Sequence, residues 1–202
     1  EHIEEAGIHS GDSSCSIPPY SLSTTIINEI ERQSKILANE LNIIGIMNIQ
    51  FAIQNNDIYI LEVNPRASRT VPFVAKSSGV QLAKLATKII MGNNLKSFPN
   101  LINYKHLNLF SVKEPVFPFK KFQNVDVLRG PEMKSTGEVM GIDKDFHTAF
   151  FKSQTAAGII LPKKGTVFLS VKDKDKKELI FIAKKLIKLG FELLGTKGTC
   201  DF

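Results

Sequence analysis

The chain has 202 residues, 43% hydrophobic and 23% charged. That balance excludes a disordered protein, which lacks the apolar surface to offset its ordering entropy. It carries a net charge of +6 but no apolar run near the roughly 20 residues a membrane span needs. The acidic start Glu1-His2-Ile3-Glu4-Glu5 has no apolar stretch behind it and is not a secretion signal.

In chain order, Gly7, Gly11, Pro18, Pro19 and several serines predict loop over 1–20, with an extended start. Ser23-Thr24-Thr25 opens a helix carrying Ile26, Ile27, Ile30, Leu37 and Leu41, with a stop at Asn42. The alternation from Ile43 to Gln54, a turn at Asn55-Asn56-Asp57 and a second run from Ile58 to Val63 predict a β-hairpin. Strict alternation places Tyr59, Leu61 and Val63 on one face and Ile58, Ile60 and Glu62 on the other. Asn64-Pro65-Arg66 breaks the pattern and predicts a loop to Gly79. Leu82 to Met91 reads as a helix ending at Gly92.

Residues 93–125 contain Pro99, Pro115 and Pro118 and read as irregular; 127–142 is punctuated by glycine and reads as short strands; Asp145 to Thr155 reads as a helix. After a linker at 159–165 the pattern is strand, helix, strand over 166–171, 177–189 and 191–196. That is a βαβ unit, the start of a parallel sheet. The incomplete sheet and the missing initiator Met imply a truncated chain.

The positive charge is concentrated late. Residues 1–100 hold 8 Lys+Arg and 9 Asp+Glu, whereas 101–202 hold 18 and 11. Interleaved Asp173, Asp175 and Glu178, and only 4 Arg against 22 Lys, argue against a nucleic-acid surface. Cys15 and Cys200 are too few and too isolated for a disulfide framework or a zinc site, which implies free thiols and a cytoplasmic location.

Two groups of residues carry chemistry. Gln50, Glu62 and Asn64 offer the oxygen donors that a hard cation takes alongside phosphate; the same residues also suit a solvated strand face. Arg66 and Arg69 follow. Their guanidinium forks suit phosphate or carboxylate, or else a surface ion pair.

The string Glu62-Val63-Asn64-Pro65-Arg66-Ala67-Ser68-Arg69-Thr70-Val71-Pro72-Phe73 resembles the large subunit of carbamoyl phosphate synthases, an ATP-grasp ligase family. Residues His2 to Ser13, with His9-Ser10-Gly11-Asp12-Ser13, and Gly130 to Gly141, with Gly130-Pro131-Glu132-Met133, are similar to the same family in the same order. The resemblance implies an α+β fold: part of an ATP-grasp domain over 1–157, its C-terminal subdomain with an antiparallel sheet and helices. A truncated α/β methylglyoxal-synthase-like regulatory domain follows over 158–202.

The activity implied is ATP-dependent phosphorylation of carbamate to carbamoyl phosphate, serving arginine and pyrimidine biosynthesis, with the isolated chain inactive. The resemblance implies that Gly7, Ile8, His9, Ser10, Gln50 and Glu62 contact ATP, and that Gln50, Glu62 and Asn64 hold Mg²⁺ or Mn²⁺. Arg66 and Arg69 handle the reacting anions. Ser170, Lys176, Thr196 and Thr199 hold the phosphate of a nucleotide effector. Partners implied are a glutaminase small subunit and the rest of the large subunit, with no nucleic acid and no membrane. Two alternatives stay open: another ATP-grasp carboxylate or biotin-dependent ligase, and a non-catalytic nucleotide-binding regulatory piece.

A shared cation sets a condition on the hairpin. A two-residue Asn55-Asn56 turn with regular pairing carries Gln50 and Glu62 to opposite faces. One face for both requires a three-residue loop through Asp57, or a bulge.

Overall fold

The computed structural model describes residues 1–98, 108–119 and 126–202. The chain divides into two units, Glu1–Ile159 and Ile160–Phe202.

In the first unit, β1 (Cys15–Ile17), β4 (Phe110–Val116) and β5 (Gly137–Asp143) form an antiparallel sheet in the order β1-β4-β5. The central strand β4 corrects the expectation of irregular structure across 93–125. Lys113, Glu114 and Pro115 disguise it in the sequence, because they interrupt any apolar alternation. Residues 99–107 and 120–125, part of the same expectation, lie outside the described residues. The short strands expected over 127–142 reduce to the single strand β5.

Helix α4 (Phe146–Ala156) packs on β4 and β5 and starts where Asp145 accepts the Thr148 N–H at 2.8 Å. Ala149 and Ser153, one turn apart, are fully buried against the sheet, as is Val112 of β4. A Cβ at Gly141 would lie 2.1 Å from the Ala149 carbonyl oxygen. Only glycine permits this approach of helix backbone to strand.

Beside several buried serines, this core holds charged side chains. Lys113, 1% exposed, donates from Nζ to the Ser10 carbonyl at 3.1 Å. Burial pushes the Glu114 carboxyl up while Ser14 and Gln154 hydrogen-bond to it. Glu4 accepts the Ser14 N–H at 2.7 Å and pairs with Arg129 at 2.6 Å. A buried charge left without partners is costly. These contacts therefore hold the extended start and a short 3₁₀ turn at Ser10–Asp12 onto the sheet.

Helix α1 (Thr24–Glu40) is capped by Ser23, whose hydroxyl accepts the Ile26 N–H. The hairpin is β2 (Asn48–Gln54) and β3 (Asp57–Asn64). Its turn has two residues, Asn55 (φ 52°) and Asn56 (φ 73°), rather than three. Asparagine tolerates the left-handed conformation that such a tight turn requires at both positions. Helix α2 (Thr70–Ser78), ended by Gly79 at φ 70°, replaces the loop expected there. The break at Asn64-Pro65-Arg66 ends before Thr70, and Pro72 does not interrupt the helix. The proline sits in the first helical turn, where a missing N–H costs nothing. Helix α3 spans Leu82–Ile90.

The second unit pairs β6 (Thr166–Leu169) with β7 (Glu192–Gly195) in parallel, joined by α5 (Lys176–Lys188) and followed by the short α6 (Lys197–Cys200). This is the βαβ order read from the sequence. Cys15 is buried and Cys200 exposed, both free. Among the described residues, no helix is long and apolar enough to cross a membrane.

Candidate active site

The tight turn pairs Gln54 with Asp57, Ala52 with Tyr59 and Phe51 with Ile60. Continued regularly, this register would set Gln50 against Leu61 and send Glu62 to the Ile49 face. A bulge intervenes between Gln50 and Phe51, so that Gln50 pairs with Glu62 and Asn48 with Asn64. The extra residue, Leu61, is what brings Glu62 round to the face of Gln50. It also overturns the strict alternation expected along β3. Tyr59 shares the Gln50 face through Ala52, whereas Val63 lies opposite Ile49.

Gln50, Leu61 and Glu62 form one wall of a cleft of about 270 Å³; Gly7, Ile8, His9 and Ser10 line another, with Ala6 and Pro131. The six residues expected to contact nucleotide therefore share one cavity. The volume is just under the roughly 300–1,000 Å³ of small-molecule sites, and the cleft is open. Asn64 does not line it but follows Glu62 by two residues, on the same face of β3.

The loop wall is rigidly held. His9 accepts the Gly11 N–H on Nδ1 at 3.0 Å, so a neutral ring carries its proton on Nε2. The His9 N–H donates to the Gly130 carbonyl at 2.8 Å. Asp12, fully buried, accepts the N–H groups of Lys134 (2.7 Å) and Ser135 (2.9 Å) on its two oxygens. Burial alone would raise the Asp12 carboxyl, but the hydrogen bonds from Ser135 and Lys134 outweigh it and hold it below the usual carboxylate range. It is an anion at neutral pH.

Arg69 immediately precedes α2 and directs Nη1 to Met133 Sδ (2.7 Å) and Ser135 (3.4 Å), on the loop that contributes Pro131 to the cleft. Arg66 turns Nη1 to the Ala67 carbonyl at 2.9 Å, its one side-chain hydrogen bond among the described residues. Asn48 Nδ2 donates to Ser68 Oγ at 3.3 Å, and Ser68 Oγ accepts the Thr70 N–H at 3.3 Å. These bonds hold the segment between the two arginines. Neither Arg66 nor Arg69 lines the cleft itself.

The donor set Gln50, Glu62 and Asn64 is one carboxylate and two amides, all oxygen donors. Among the described residues, no group of three or more His, Cys, Asp or Glu is placed to hold a metal. The set therefore suits a hard divalent cation that keeps open positions for phosphate, and not a fully protein-caged metal.

In the second unit, Leu169 pairs with Gly195, so Ser170 and Thr196 lie just past the same end of two parallel strands. The Thr196 and Thr199 hydroxyls are 2.9 Å apart. Lys176 Nζ reaches the Gly198 carbonyl and pairs with Asp173 at 2.7 Å. The four residues expected to hold an effector phosphate thus cluster at the carboxyl end of the strands, where open α/β sheets bind ligands.

Residues reasoning from sequence did not single out are Asp12, Lys113, Met133 and Ser135. Asp12, Met133 and Ser135 stand inside the quoted motifs, which was their only signal.

The family described as the ATP-binding domain of the carbamoyl-phosphate synthase L chain matches residues 2–98. The chain is 52% identical to the carbamoyl phosphate synthase large chain, C-terminal section, of Aquifex aeolicus, over all of this chain and 40% of that protein. It is 54% identical to the carbamoyl phosphate synthase large chain of Mesorhizobium japonicum and 53% identical to that of Archaeoglobus fulgidus, again over all of this chain. It spans 18% and 19% of those two relatives. Identity above one half along the whole chain places it plainly: the chain belongs to the carbamoyl phosphate synthase large-chain family.

Proposed function

We propose that residues 1–157 form part of the ATP-grasp domain that phosphorylates carbamate in a carbamoyl phosphate synthase, for arginine and pyrimidine synthesis. The observation that carries this is the bulged pairing of Gln50 with Glu62 on one wall of a cleft that Gly7–Ser10 also line. In the reaction a carbamate oxygen attacks the γ-phosphorus of ATP and ADP leaves. Main chain of Gly7 and Ile8 and the Nε2–H of His9 contact the nucleotide. Gln50, Glu62 and Asn64 would hold Mg²⁺ or Mn²⁺, which neutralises charge on the phosphates when bound. Arg66 and Arg69 orient the two anions, and such positioning is most of what phosphoryl transfer asks of a protein.

The partners of this reading are the rest of the large subunit and a glutaminase small subunit that provides ammonia. Residues 158–202 then begin a methylglyoxal-synthase-like regulatory domain, with a nucleotide effector's phosphate held by Ser170, Lys176, Thr196 and Thr199. In a full-length large chain carrying this segment, Lys176→Ala is expected to raise the effector concentration for half-inhibition by about tenfold, the worth of one charge-assisted hydrogen bond. Uninhibited turnover stays near wild type. Equal loss of turnover and inhibition would remove Lys176 from the effector site.

The function itself is tested by the back reaction. Gln50→Ala in the full-length chain should suppress ATP formation from MgADP and carbamoyl phosphate and spare bicarbonate-dependent ATP hydrolysis. The opposite pattern would assign this segment to bicarbonate activation instead.

A further inference from the structure

Asp12 touches no part of the cleft, yet it is among the most deeply buried polar residues of the described chain. Its neighbours in sequence, Gly7 to Ser10, form one wall. Its neighbours in space, Lys134 and Ser135, end the segment that begins with Gly130 and Pro131, and Pro131 lines the cleft as well. One carboxylate thus ties two cleft-lining loops that are more than 120 residues apart in sequence. Its two acceptor oxygens meet two consecutive backbone N–H groups, and anionic acceptors form about twice as strong a bond as neutral ones.

Three further bonds run the same way. Ser135 Oγ donates to the Gly11 carbonyl (3.0 Å), Lys113 Nζ to the Ser10 carbonyl (3.1 Å), and Arg129 Nη1 to the Asp12 carbonyl (3.2 Å). Met133 closes the gap between the loops. A Cβ at Gly11 would lie 2.8 Å from its Sδ. Met133 and Ser135 are also the residues that Arg69 Nη1 reaches. The loop lining the nucleotide cleft and the arginine assigned to the reacting anions therefore rest on the same short segment, and Asp12 fixes that segment.

We infer that Asp12 is a positioning residue of the nucleotide site. It acts through the Lys134 and Ser135 backbone to hold the Gly7–Ser10 wall at the spacing that binds MgATP. This inference rests on the reading of the cleft as an ATP site. Asp12→Asn keeps the shape and one acceptor but turns an NH₂ group toward a backbone N–H. It breaks one of the two bonds and leaves that donor unpaired.

The test uses a full-length large chain carrying this segment and follows carbamoyl phosphate synthesis against MgATP. Asp12→Asn is expected to raise the KM for MgATP by about tenfold, the worth of a lost hydrogen bond to a charged group, with kcat changed far less. Bicarbonate-dependent ATP hydrolysis should stay at wild-type values, and the Tm should fall by no more than one unpaired buried donor costs. An unchanged KM would overturn the inference. So would a parallel fall of KM-independent turnover, hydrolysis and Tm, which marks a merely structural role. If Asp12→Asn does not fold, Ser135→Ala decides. It keeps the Ser135 N–H on Asp12 and removes the hydroxyl that bonds the Gly11 carbonyl and accepts from Arg69, so KM should still rise a few-fold, and no rise overturns the inference. Glu62→Gln measured alongside separates the two readings. A Glu62→Gln enzyme that keeps full synthesis shows the cleft itself is misread and the inference falls with it. Lost synthesis in Glu62→Gln with a wild-type KM in Asp12→Asn removes only Asp12's role.

Discussion

Glu62→Gln in a full-length large chain is expected to lower carbamate phosphorylation by at least about 100-fold, the cost of removing one preorganised electrostatic contact to a phosphoryl transfer. Glutamine keeps the shape and an oxygen donor at the position facing Gln50. What it removes is the one formal charge in a donor set otherwise made of two amides. With amides only, the affinity for a hard cation rests on neutral dipoles, and the phosphates are left to repel one another. Glu62 lies in an exposed part of β3, so the substitution opens no core cavity and the fold should survive it. Bicarbonate-dependent ATP hydrolysis, measured in the same preparation, should be largely spared. Comparable loss of both reactions would mean that Glu62 acts on the whole protein and not on this site.

Arg69→Ala is expected to lower the same reaction by about 100-fold or more, because arginine forks that clamp a transferring phosphoryl group act mainly in the transition state. Arg69→Lys should restore little. An ammonium cannot reproduce a planar fork, and it cannot meet Met133 Sδ and Ser135 from one end while leaving a second donor for the anion. The effect should fall on kcat more than on the KM for MgATP, the reverse of Asp12→Asn. A near-normal kcat in Arg69→Lys would reduce Arg69 to a structural tie between α2 and the 130–136 loop.

Local signals made much of the frame legible. Ser23 and Asp145 cap α1 and α4 where serine and aspartate before an apolar-periodic run say they should. Gly92 and Gly190, read as helix ends, adopt positive φ just past α3 and α5. The βαβ order of the last 40 residues followed from periodicity alone.

What stayed hidden has partners far away. β4 looks irregular because Lys113 and Glu114 interrupt its pattern, and their partners, Ser10 and Ser14, lie about a hundred residues upstream. α2 was lost because the break at Asn64-Pro65-Arg66 reads as running on to Gly79, whereas the helix starts at Thr70 and accepts Pro72 in its first turn. The bulge at Leu61 leaves no local mark. Only the demand that Gln50 and Glu62 share a face pointed to it, and the tight Asn55-Asn56 turn made the bulge the remaining way to meet that demand. The cleft residues Gly7–Ser10 stand out in the sequence through family resemblance alone, and the folded chain is what brings Asp12 to Lys134 and Ser135.

The bulged hairpin as a metal-bearing wall is tested most directly by anomalous diffraction from crystals of a full-length large chain carrying this segment, grown with Mn²⁺ and a non-hydrolysable ATP analogue. A manganese peak is expected within ligand distance of the Glu62 carboxylate and the Gln50 side-chain oxygen, with the analogue's phosphates beside it and Gly7–Ser10 against the nucleotide. A fully occupied analogue whose manganese lies away from both Gln50 and Glu62 would contradict it.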